Sequence, residues 1–122
     1  MAAEHWPTEL RLKQGGRLLA VAFEDATFEL TAEYLRVTSP SAEVQGHSAA
    51  ERRTVGGKRN VAIRAVQPVG HYAARLVFDD GHDTGLYTWN YLHELGTQFD
   101  AKWAAYLVEL ARKNLSRDIP SL

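Results

Sequence analysis

The sequence predicts an α+β fold, and three stretches carry the prediction. Leu10 to Phe23 alternates around a Gln14-Gly15-Gly16-Arg17 turn. Tyr72 to Leu95 reads as strand, polar turn, strand and helix in quick succession. Phe99 to Leu110 carries an apolar stripe at helical spacing. Period-2 and period-3.6 patterns in one short chain define the mixed class.

Taken in order, residues 1 to 8 read as a loose leader. Leu10-Arg11-Leu12-Lys13 alternates as a first strand, and Leu18 to Phe23 returns as a second, so residues 9 to 23 form a hairpin. Phe28-Glu29-Leu30 continues the apolar run, Thr31 caps one helical turn through Leu35, and Arg36-Val37-Thr38 reads as extended. Ser39-Pro40-Ser41 breaks regular structure because proline restricts itself and its predecessor. Ala42 to Val44 reads as a brief strand or turn within an irregular stretch, residues 38 to 60. A connection of that length is usually functional or mobile. Val61 to Val66 alternates as a strand, turned by Gln67-Pro68-Val69-Gly70 into the next.

Tyr72, Ala74, Leu76 and Phe78 fall on one face of that next strand. Asp79-Asp80-Gly81-His82-Asp83 ends it, since Asp-Gly favours the positive φ of a tight hairpin. Gly85-Leu86-Tyr87 forms the returning strand, Thr88 caps a helix from Trp89 to Leu95, and Gly96 ends it. Thr97 and Asp100 resemble a capping box for the last helix. Phe99, Trp103, Tyr106, Leu107 and Leu110 make its buried stripe, and Arg112 and Lys113 suit the negative end of its dipole.

Composition sets the bounds. At 122 residues the chain is expected to be a single domain spanning residues 1–122. The 45% hydrophobic and 24% charged fractions are those of a globular protein. A net charge of −1 gives no basic field for nucleic acid. There are no cysteines, which excludes disulfides, thiolate metal sites and thiol catalysis within the chain and suits a cytoplasmic location. The first residues lack a basic and an apolar region, so no signal peptide is expected. No apolar run approaches the ~20 residues that span a bilayer.

Enzyme motifs are few. The histidines are His5, His47, His71, His82 and His93, with no His-x-x-x-His or His-Glu-x-x-His spacing. There is no His-x-Asp of a facial triad, no nucleophile elbow and no phosphate loop. Asp79, Asp80, His82 and Asp83 gather three carboxylates and an imidazole in one turn. They serve either as water-facing turn formers or as metal ligands. His47, after Gly46, poses the same choice.

The residues resemble a known family. Leu35 to His47, including Ser39-Pro40-Ser41-Ala42-Glu43-Val44, then Gly57-Lys58, Val69 to Ala73, and Phe78 to Trp89 with Asp80-Gly81-His82, are similar to the DUF971 family. This is the γ-butyrobetaine hydroxylase-like N-terminal domain. The resemblance implies an α+β domain: a small twisted, mostly antiparallel sheet with a short helix and a C-terminal amphipathic helix packed on it. In the hydroxylases the domain precedes an iron and 2-oxoglutarate-dependent catalytic domain, which the chain, stopping at Leu122, is expected to lack. There it holds zinc through Leu-Arg-x-x-Cys-Pro-Cys-x-x-Cys and a later histidine. Those positions fall here on Ser39, Ser41, Val44 and His82, so one ligand of four remains and the family zinc site is not expected.

The family also occurs fused to Mrp-type P-loop ATPases that carry iron–sulfur clusters. The resemblance therefore implies a non-catalytic cytoplasmic adaptor linked to iron–sulfur or iron-enzyme assembly. Its partner is a protein, with an iron–sulfur carrier ATPase as candidate, and neither nucleic acid nor membrane. The expected surface comprises Ser39, Ser41, Glu43, His47, Asp80 and His82, with His82 and His47 as candidate ligands for weakly held zinc or iron. Two alternatives stand beside it: a hydrogen-bonded knot of Ser39, Ser41 and His82 in place of zinc, and a small enzyme using His82 with Asp80.

Overall fold

The computed structural model describes residues 5–46 and 52–120. Among these residues, six strands form two antiparallel sheets: β1 (Pro7–Lys13), β2 (Leu18–Phe23) and β3 (Thr27–Thr31) in one, β4 (Ile63–Val69), β5 (Ala73–Phe78) and β6 (Leu86–Thr88) in the other. The expected antiparallel α+β architecture is present, with its strands divided between two sheets. Helices α1 (Ala32–Val37) and α2 (Ala42–Gln45) lie between the sheets in sequence, and α3 (Trp89–Thr97) and α4 (Phe99–Arg112) follow the second.

Both sheets and two helices feed one core. Leu19, Val21 and Leu30 from the first sheet meet Ile63, Leu76, Phe78 and Tyr87 from the second, with Leu35 of α1 and Leu92 and Leu95 of α3. The alternation at residues 74, 76 and 78 does put Ala74, Leu76 and Phe78 inside, while Tyr72 lies outside β5 and is exposed. The leader is shorter than its polarity suggests. β1 starts at Pro7, with Pro7 opposite Phe23 and a register shift before Glu9.

The threonine caps form as expected. Thr31 Oγ1 accepts from Tyr34 N at 3.1 Å and Thr88 Oγ1 from Tyr91 N at 3.1 Å. The helix at Thr31 runs further than its short apolar signal suggests. Arg36 and Val37 are helical, not extended, because the last carbonyls find side-chain donors. Tyr87 OH donates to Leu35 O at 2.5 Å and Tyr91 OH to Thr38 O at 2.5 Å, which satisfies groups that a helix end otherwise leaves orphaned. Tyr34 OH does the same for Leu95 O of α3 at 2.7 Å. Residues 42 to 45 are likewise helical where a strand or turn was expected.

Gly96 does not end α3; it lies inside it. A β-carbon there would sit 2.4 Å from the Phe28 ring, so glycine permits α3 to approach β3. The capping box at Thr97 is also not formed. Thr97 belongs to α3 and its hydroxyl donates to Glu94 O at 3.2 Å, while Gln98 precedes α4 without a side-chain cap. On α4, Tyr106 and Leu110 are buried with Val37 in a second small cluster, and Trp103 packs against both clusters. Phe99 and Leu107 remain 37% and 40% exposed, so the apolar stripe is only half covered.

The chain after α4 folds back onto the irregular segment. Gly57 N donates to Ser116 O at 2.8 Å and Arg59 N to Arg117 O at 3.0 Å. Arg117 grips the buried Glu33 of α1 with two bonds of 2.8 and 2.7 Å. This fixes residues 52–60 and brings Lys58 to the site described next.

Candidate functional site

The segment after α1 and the turn after β5 meet at His82. The turn forms because Gly81, at φ +90°, supplies the conformation that an Asp-Asp-Gly run promises. Phe78 N bonds His82 O at 3.0 Å and Gly81 N bonds Phe78 O at 3.2 Å. The connection from Phe78 to Leu86 is longer than a tight hairpin. The extra residues carry His82 inward to 6% exposure.

Both imidazole nitrogens are engaged. Nε2 lies 2.8 Å from Ser39 Oγ and 3.4 Å from Ser41 Oγ. Nδ1 lies 3.2 Å from Glu43 Oε2. The Glu43 carboxylate can only accept, so Nδ1 carries the proton and Nε2 accepts from the Ser39 hydroxyl. Ser41 N completes the cluster by donating to Ser39 Oγ at 3.3 Å. Gln45 Nε2 donates to Ser39 O at 2.9 Å, and Thr84 Oγ1 to Glu43 Oε1 at 3.2 Å. Ser39 is fully buried and Ser41 nearly so, whereas the Glu43 side chain is 63% exposed.

Asp80 forms an ion clamp beside this knot. Its Oδ2 lies 2.8 Å from Arg36 Nε and 2.6 Å from Lys58 Nζ, and its Oδ1 accepts from His82 N at 3.0 Å. Partial burial pushes the Asp80 carboxyl up. The Lys58 ammonium, the His82 N–H and the Arg36 guanidinium outweigh it and hold the pKa at about 2. Asp80 therefore touches the His82 backbone and not its ring, so the His82–Asp80 acid–base pair of the enzyme alternative is not formed.

His82 itself is held neutral. Burial lowers its pKa first and the Arg36 charge adds to this, with Glu43 and Asp80 opposing. The unfolded chain therefore takes up this proton first as pH falls. Stability from the knot is complete above the ordinary value of 6.5 and declines as pH drops below it, towards the lower folded value. Asp80 acts in a separate window, its contribution present above 3.8 and lost as pH falls towards about 2. Denaturant midpoints at pH 7.5, 6 and 5 should fall in the wild type and fall less in His82→Gln. Parallel curves would show that His82 does not titrate on unfolding.

A zinc ion does not fit these residues. Ser39 and Ser41 offer neutral hydroxyls already bonded to the imidazole, and Val44, 2% exposed, offers no donor. Of the residues expected to share a surface, Ser39, Ser41, Glu43, Asp80 and His82 converge. His47 lies outside the described residues. Sequence reasoning missed Arg36 and Lys58 as Asp80's partners, although both lie in the stretches that carry the family resemblance. It also missed a cluster of His5, Asp25 and His93 elsewhere on the molecule.

Two antiparallel sheets joined by helices, with a neutral buried histidine fastening one loop to another, define the class: a small α+β domain with a closed polar centre. The chain belongs to the gamma-butyrobetaine hydroxylase-like N-terminal family, whose model matches residues 10–93. Two NMR solution structures are similar along almost its whole length. One is 45% identical with a TM-score of 0.85, covering 98% of this chain and 95% of its own. The other is 42% identical with a TM-score of 0.79, covering 100% and 97%. A crystal structure of a DUF971-family protein of unknown function from Acidithiobacillus ferrooxidans ATCC 23270 is 42% identical, with a TM-score of 0.62 over 74% of this chain and 91% of that one. No curated protein matches the chain. Among the described residues, no helix is long and apolar enough to cross a membrane.

Proposed function

We propose that the chain is a non-catalytic binding module of the cytoplasm that engages a protein partner in iron–sulfur or iron-enzyme assembly. The observation that carries this reading is the commitment of the polar centre to structure. Both His82 nitrogens are bonded, and Asp80 is held by two cations. A serine–histidine–carboxylate triad would bond both imidazole nitrogens in the same way, but its serine must reach a substrate, and Ser39 is fully buried. Asp80, held at a pKa of about 2, is too weak a base to take its place. The outward part of the knot, Glu43 with Thr84, faces solvent and is suited to a partner's cation or N–H donors. The iron–sulfur link rests on the family's fusion to Mrp-type carrier ATPases.

The test is calorimetric titration with the purified carrier ATPase from the same cell. Saturable binding that weakens in Glu43→Arg, with the melting temperature unchanged, is the expected result. Absence of binding would remove the carrier ATPase as partner. Succinate release from γ-butyrobetaine, iron and 2-oxoglutarate by the isolated chain would overturn the non-catalytic reading.

A further inference from the structure

Outside the knot, three chain segments bring two imidazoles and a carboxylate together. His5 precedes β1, Asp25 lies in the β2–β3 turn, and His93 is on α3. One potential ligand atom from each lies within 4.8 Å of the others. His93 Nε2 is 2.9 Å from Asp25 Oδ2. Ligand atoms on a tetrahedral ion, each ~2.0–2.1 Å from the metal, stand roughly 3.3 Å apart. The pair is thus already near the required spacing.

The site has a fixed side and a movable side. Phe23 and Phe28 stand nearly perpendicular to the His93 ring, with centroids 4.9 and 5.6 Å away, and the His93 side chain is only 13% exposed. His5 instead lies flat on His93, ring centroids 3.6 Å apart and planes 7° from parallel, tethered by His5 N to Asn90 Oδ1 at 3.1 Å. Stacked rings cannot both aim an in-plane lone pair at one ion. Binding therefore requires the His5 ring to turn out of the stack while His93 stays in place. Asp25 is 59% exposed, and a cavity lined by His5, Trp6, Thr8, Phe23, Glu24 and Asp25 gives solvent access from that side.

From this geometry we infer that His5, Asp25 and His93 form a site for a divalent transition metal, with water completing the coordination. Two imidazoles and one carboxylate favour zinc, cobalt or nickel over calcium or magnesium, which prefer all-oxygen shells. The site is independent of His82 and of the partner proposed above.

The experiment uses tag-free protein titrated with zinc sulfate, followed by calorimetry and by imidazole nitrogen resonances. One ion per chain is expected, with the His5 and His93 resonances shifting together and the His5 ring-current shift disappearing as the stack opens. Asp25→Asn and His5→Ala should each weaken binding by about tenfold or more, while His82→Ala leaves it unchanged. These substitutions leave the Phe23–Phe28–His93 packing intact, and melting curves confirm that the variants are folded. No saturable binding, wild-type affinity in both variants, or binding that follows His82 would each overturn the site.

Discussion

His82→Ala is expected to destabilise the protein by roughly 1–3 kcal/mol, the usual cost of leaving a buried polar group without its partner. Two effects add here. The fully buried Ser39 hydroxyl loses its 2.8 Å acceptor, and the imidazole's volume becomes a void beside Phe78. For a chain of 122 residues this is a fall of several degrees in melting midpoint. Glu43→Ala removes the other bond to the ring, yet the carboxylate side chain is 63% exposed, so its truncation opens the freed N–H to water. Its cost should stay within about half a kcal/mol. The contrast between the two variants separates a knot that supports the fold from a surface pair held by charge. Equal melting temperatures for wild type and His82→Ala, with an unchanged denaturant slope, would rule out a structural knot.

Much of the fold was legible because its signals are local. Thr31 and Thr88 read as caps because a helix start needs only an oxygen three residues before a donor. Strand β5 read correctly because alternation is a property of consecutive residues. The division into two sheets was not legible, since it depends on which strands pair across long separations. The length of α1 was hidden for a similar reason: Tyr87 supplies its terminal donor from 52 residues away. Gly96 shows the limit of punctuation rules. A glycine near a helix end signals a stop, and here it signals contact with Phe28. At the site, the Ser39, Ser41 and His82 positions came from the family's zinc motif, not from spacing. The Arg36 and Lys58 clamp on Asp80 had no pattern to reveal it, and neither had His5, Asp25 and His93, which no short motif connects.

Gly85→Ala should be nearly as damaging as the loss of His82, although it adds only a methyl group. A β-carbon at Gly85 would lie 2.6 Å from Ser39 Oγ, 3.1 Å from the Tyr87 ring and 3.4 Å from Pro40 Cδ. The first distance is too short to persist, so Ser39 must move and its 2.8 Å contact with His82 must stretch. Overpacking of this kind costs roughly 1–3 kcal/mol. Replacing glycine also restricts the unfolded chain, which favours folding by about 0.4–1 kcal/mol, so the net loss should lie in the lower half of the first range. The mechanism is tested by a cycle with Ser39→Ala. That substitution alone leaves His82 Nε2 only its longer 3.4 Å contact with Ser41 Oγ and is destabilising, but it also deletes the atom that the new methyl strikes. The remaining neighbours, at 3.1 and 3.4 Å, need yield only slightly. The double variant should therefore be more stable than the sum of the single losses predicts, by at least about 0.5 kcal/mol. Losses that add to within about 0.3 kcal/mol would mean that Gly85 acts elsewhere, and that room for the Ser39 hydroxyl is not what requires glycine at this position.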